Sequence, residues 1–197
     1  MNLGTIIRTF GAVCMFGILL TGCETPPPPR PIYPDITFAH RPPIRLDVAR
    51  IEVMNEYVPP LKAPNVEHAF PVSIAAGAER WARDRLQAVG SDGVARLVIK
   101  DASATETDLR RTPGVRGIFT TDQAERYDAR VEVMIEVRAG NRTGFASAAA
   151  QRSRSVPENA TLNDRDRVQF ELTDALLKDL DRELERNIYQ FLPMFLR

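Results

Sequence analysis

The segment Asp128–Arg138 alternates with a period of two. Ala129, Val131, Val133, Ile135 and Val137 fall on one side, and Asp128, Arg130, Glu132, Glu136 and Arg138 on the other. Such a pattern describes a half-buried antiparallel strand, with one face on a core and one in water. It commits the chain to a sheet that needs a covering layer on one side only. Gly140-Asn141 follows with hairpin-turn chemistry. Thr143–Ser155 then reads as a returning strand, with Ala146, Ala148 and Ala150 on one face, small enough to let a helix approach closely.

The covering helices are visible too. Asn163–Leu192 carries Leu177, Leu180, Leu184, Ile188 and Phe191 at helical spacing. Thr161 or Asn163 can cap its start and Pro193 ends it. Lys178, Asp179, Asp181, Arg182, Glu185 and Arg186 lie off the stripe and read as a solvated face. Ser73–Val89 reads as a second helix, with Ser73 as N-cap and Ile74, Ala78, Trp81, Ala82, Leu86 and Val89 on its apolar side. Gly90 suits the residue after its end. Trp81 on that stripe reads as a core anchor. Arg45–Tyr57 reads as a first strand whose apolar phase switches between Val48 and Ile51, and Val94–Ala102 as a second. The order β-α-β-β-β-α predicts an α+β two-layer sandwich, with a mainly antiparallel four-stranded sheet and two helices on one face.

The amino terminus is of another kind. Met1–Arg8 carries one positive charge and Phe10–Leu20 is apolar, about half the ~20 residues a spanning helix needs. Leu20-Thr21-Gly22-Cys23 follows. This resembles the lipobox of bacterial lipoproteins, in which the signal peptide is cut before the cysteine and its thiol takes diacylglycerol. The resemblance implies a signal peptide over residues 1–22 and lipidation of Cys23, the anchor to a membrane. Cys14 lies within the removed segment, so the mature chain would hold no other thiol. Glu24, where an aspartate would imply inner-membrane retention, points to the periplasmic face of the outer membrane. Residues 23–43 hold the prolines Pro26–Pro29, Pro31, Pro34, Pro42 and Pro43 and read as a tether, with a docking motif for an aromatic groove as the alternative. One globular domain would then occupy residues 44–197.

The chain has 26 Lys+Arg and 26 Asp+Glu, without the basic excess that drives duplex binding, so no nucleic-acid partner is expected. His40 and His68 are the only histidines, and neither has a second ligand at metal spacing, so no metal or cofactor is expected. No glycine-flanked nucleophile supports catalysis, and Gly114-x-x-Gly117 is not followed by the Gly-Lys-Ser/Thr of a phosphate loop. The candidate site is the long connection Leu109–Gln123, where Arg110, Arg111 and Arg116 flank Ile118 and Phe119. A basic loop carrying an apolar pair suits a protein partner in the cell envelope. Arg152 and Arg154 make a second basic spot that could protect a sheet edge.

Lipobox, proline-rich segment and element order together resemble small periplasm-facing lipoproteins of Gram-negative bacteria. Two such families are the auxiliary lipoproteins of lipid-transporting ABC systems and the lipoprotein that plugs the lipopolysaccharide-export barrel. The resemblance implies a non-enzymatic adaptor, assembly or transport-auxiliary role, exercised through the Leu109–Gln123 loop or a sheet edge. A lipid- or glycan-binding lipoprotein is the alternative, and would need an open groove at Trp81, Ala146 and Ala148. A periplasmic hydrolase ranks last.

Overall fold

The computed structural model describes residues 31–109 and 123–197. The fold is α+β, with two helices packed on one face of a mixed sheet. Strands β1 (Ile44–Leu46) and β2 (Arg50–Asn55) lead to helix α1 (Ile74–Arg85). Strands β3 (Leu86–Ala88), β4 (Val94–Asp101) and β5 (Ala104–Asp108) follow, then the hairpin β6 (Gln123–Ala139) and β7 (Arg142–Pro157), and helix α2 (Leu162–Phe191).

The hairpin is the frame. β6 and β7 pair along their whole length, from Ala139↔Arg142 to Gln123↔Pro157. Gly140 takes φ +57 in the first central position of the two-residue loop, where a type II′ turn favours glycine. At ~3.3 Å per residue such strands run about 55 Å, and the 30 residues of α2 run about 45 Å at ~1.5 Å each. Helix and hairpin therefore match in length, and α2 lies back along β7. Thr161 caps α2 in a box with Asp164, each side chain bonding the other's backbone amide.

On the far side of β6, β4 pairs with Glu132–Arg138 and β5 with Glu125–Ala129. β5 thus continues the lane of β4 after a break at Ala102-Ser103. All four expected strands are present, and β5, in the segment read as a connection, makes the main sheet five-stranded where four strands were expected. β2 adds outside β4 in parallel, because α1 supplies the crossover that a parallel pair requires.

Three sequence readings are corrected. The first strand is two strands: the phase switch marks the break at Asp47–Ala49, and β1 leaves the main sheet to pair with β3. α1 ends at Arg85, because Leu86–Ala88 is drawn into that pairing, so Gly90 follows a strand and is not a helix cap. The third concerns the tether. The compact unit begins at Pro31, not at residue 44. Ile36 and Phe38 are buried, Tyr33 stacks on Phe170 of α2 at 4.9 Å, and the Asp84 carboxylate of α1 accepts bonds from the Phe38 amide and the Thr37 hydroxyl, both at 2.7 Å. Proline blocks regular structure here without preventing burial of the apolar residues between.

The core is one cluster. It joins the inward residues Ala129, Val131, Val133, Ile135 and Val137 of β6 to Trp81 on α1 and to Leu172, Leu176, Leu180, Leu184 and Ile188 on α2. The opposite sheet face is charged, with pairs such as Arg96–Glu52 at 3.2 Å and Arg130–Glu132 at 2.6 Å.

Candidate interaction edge

Cys23 and the loop residues Arg110, Arg111, Arg116, Ile118 and Phe119 lie outside the described residues. The stem of that loop is described: β5 and β6 pair out to Asp108↔Glu125, and the Leu109 amide donates to the Ala124 carbonyl at 2.8 Å. The connection that reads as irregular from the sequence is therefore a hairpin with residues 110–122 at its end. Its strands escape detection because Thr105, Thr107 and Asp108 give no apolar alternation.

Among the described residues, the polar groups taken out of solvent are structural. Arg85 is fully buried and Asp181 nearly so, at 2% exposure. Asp181 receives the Trp81 indole N–H at 2.7 Å, Arg85 Nε at 2.9 Å and Arg41 at 3.1 Å. Arg85 reaches on to Glu185 at 2.6 Å and to the Pro42 carbonyl. Each of these donors meets an acceptor, so the cluster ties α1, α2 and the segment before β1 into one body. Sequence reasoning missed it: Asp181 reads as solvated because its partners come from α1 and from the segment before β1, both distant in sequence.

Glu67 is the second buried carboxylate. It accepts from the Tyr57 hydroxyl at 2.7 Å, the Ala104 amide at 3.1 Å and Asn65 at 3.3 Å. Burial pushes its carboxyl up, but these hydrogen bonds outweigh burial and hold it below the usual carboxylate range. Burial and the bond to Glu67 push the Tyr57 hydroxyl well up. His40 and His68 are exposed, and no group of three metal-ligating side chains occurs among the described residues. A cleft of about 470 Å³ lies between residues 34–41 and α2, lined by opposed charges such as Asp35, Asp174, Lys178 and Arg182.

Among the described residues no open groove joins Trp81, Ala146 and Ala148, which the lipid- or glycan-binding alternative would need. Trp81 is 1% exposed, and Ala146 and Ala148 are buried under α2.

What stands open is an edge. The sheet has three outer sides. β2 is short and carries Arg50 and Glu52, paired at 3.0 Å, the kind of charge that discourages strand addition. β5 is covered by the chain before α1: the Val66 amide donates to the Ala104 carbonyl and the Glu106 amide to the Pro64 carbonyl, both at 2.9 Å. β7 is uncovered among the described residues and carries no charged side chain from Thr143 to Gln151. Its loop closes on Ala139 and Arg142, so residues 143, 145, 147, 149, 151 and 153 turn their N–H and C=O groups away from β6. Among the described residues one bond meets that row, from Asn187 of α2 to the Ser147 carbonyl at 2.7 Å. The side chains of Phe145, Ser147, Ala149, Gln151 and Ser153 are exposed and uncharged.

The same edge has an apolar hollow of about 380 Å³, lined by Met134, Phe145, Ala146, Ser147, Asn187 and Phe191. Phe145 and Phe191 are 54% and 55% exposed, unusual for rings that are not in contact with a partner. Arg152 lies beyond the uncharged stretch, with its guanidinium held by Asp179 of α2. That bond, foremost, keeps the Asp179 carboxyl below its ordinary range.

No protein-family model and no curated protein matches the sequence. Among solved structures, the chain is similar to a bacterial lipoprotein, the rare lipoprotein B from Shewanella oneidensis. The two are 13% identical with a TM-score of 0.38, over 72% of this chain and 95% of that one. A likeness of that size carries no argument about activity.

Proposed function

We propose that this chain is a lipid-anchored, periplasm-facing lipoprotein acting as a non-enzymatic adaptor, assembly or transport-auxiliary component of the cell envelope. Leu20-Thr21-Gly22-Cys23 supplies the anchor, and Glu24 favours the outer membrane. The observation that carries the adaptor role is the uncovered edge of β7, whose outward amides meet no partner among the described residues.

The packing of residues 31–43 shortens the reach of the anchor. Residues 31–43 belong to the compact unit, so at most the seven residues 24–30 are left to separate it from a lipid on Cys23.

Two measurements test this. Cys23→Ala should block lipidation and release or mislocalise the protein on membrane fractionation; unchanged fractionation would contradict the anchor. Crosslinked pull-down of the anchored protein should recover a defined envelope protein. Repeating it with residues 109–123 replaced separates the loop from the edge: undiminished capture excludes the loop as the binding element.

A further inference from the structure

We propose that the groove between β7 and α2 takes an extended, acidic segment of a partner protein, which adds to β7 as a strand and sets alternate apolar side chains against Phe145 and Phe191. This rests on the adaptor reading and names the chemistry of what is held.

Three independent observations converge on it. First, a row of outward N–H and C=O groups at every second residue from 143 to 153 is matched in spacing by another strand, since a helix has satisfied its own backbone groups. Second, the hollow lies where edge and helix meet. Phe145 stands on the strand and Phe191 on the helix, so an added strand running beside β7 would bring alternate side chains to them. Third, charge selects among strands. Arg152 and Arg154 on β7 flank this groove with Asp179, Glu183 and Arg186 of α2. Asp179 holds Arg152, and Glu183 holds Arg186. Arg154 has no ion pair among the described residues, which leaves a positive surplus that an acidic segment neutralises. A second copy of β7 would bring the same surplus face to face with itself, so self-pairing is disfavoured.

The test uses the full chain in its membrane. A photo-crosslinking amino acid is placed at Ser147, Ala149 or Ser153, and the crosslinked segment is sequenced and synthesised as a peptide. The expected segment is extended and carries more Asp and Glu than Lys and Arg. The peptide should slow amide exchange at alternate β7 residues, 145, 147, 149 and 151, and bind more weakly as salt rises. Phe191→Ala should weaken it about tenfold or more, as loss of a buried aromatic contact. Absence of crosslinks at all three positions, crosslinks to lipid or to β7 of a second copy, or peptide binding without the alternating protection would overturn the proposal. A crosslinked partner segment that is neutral or basic would overturn the acidic assignment and leave the adaptor reading standing.

Discussion

Asp181 shows what a single residue can do in this fold. Its carboxylate is the meeting point of Trp81, Arg85 and Arg41, which come from a helix and from the segment before β1. Removing one member of a buried ion pair strands the other, so Asp181→Ala should cost about 3–5 kcal/mol in urea unfolding. Replacing Arg85 and Asp181 together by leucine should cost clearly less than Asp181→Ala, because no buried charge is then left alone; an equal or larger loss would contradict this. Gly77 on α1 is a second such point. A Cβ there would lie 2.3 Å from Leu177 Cδ1, and Leu177 is fully buried, so the two helices meet closely because this residue lacks a side chain. Trp81 is placed correctly by its periodicity. Asp181 is not, since periodicity reports which face of a helix a residue is on but not which segment crosses over that face.

Among elements, the loop before α1 depends on Glu67. Its folded-state carboxyl lies below the unfolded value, so its contribution is fully present above the unfolded value and is lost as pH falls through the folded one. Wild-type stability should therefore fall more steeply than that of Glu67→Gln as pH drops below the usual carboxylate range. Parallel curves from urea titrations would count against the reading. Residues 31–43 make a second case. Deleting 24–30 should leave the melting temperature unchanged. Deleting 31–43 as well should lower stability by several kcal/mol, since burial of Ile36 and Phe38 alone contributes about 1.5–3 kcal/mol each. The long hairpin and α2 are legible in the sequence because their periodicities are clean over many residues. β3 and β5 are not, because strands of three and five residues with polar or small side chains take their structure from neighbours distant in sequence. The candidate site follows the same division. Residues 146, 148 and 150 read correctly as the face under a helix, but an edge exists only once the order of strands is known, and no local pattern reports that β7 is last.

At the scale of the whole molecule, two sides of the sheet are guarded among the described residues and the third, β7, is uncovered there and the longest. Proline scanning of β7 reads this directly. The Ala149 amide points away from β6, so Ala149→Pro removes a donor that the folded chain does not use; Ala148→Pro removes a rung of the β6–β7 ladder. Partner capture by crosslinking from intact membranes, measured alongside the melting temperature for these two variants, tests the edge as a docking surface. Ala149→Pro should keep a melting temperature close to that of the wild type and lose the captured partner, whereas Ala148→Pro should lose stability itself. A stable Ala149→Pro protein that captures the same partner in the same yield as the wild type would contradict the assignment of β7 as the binding edge.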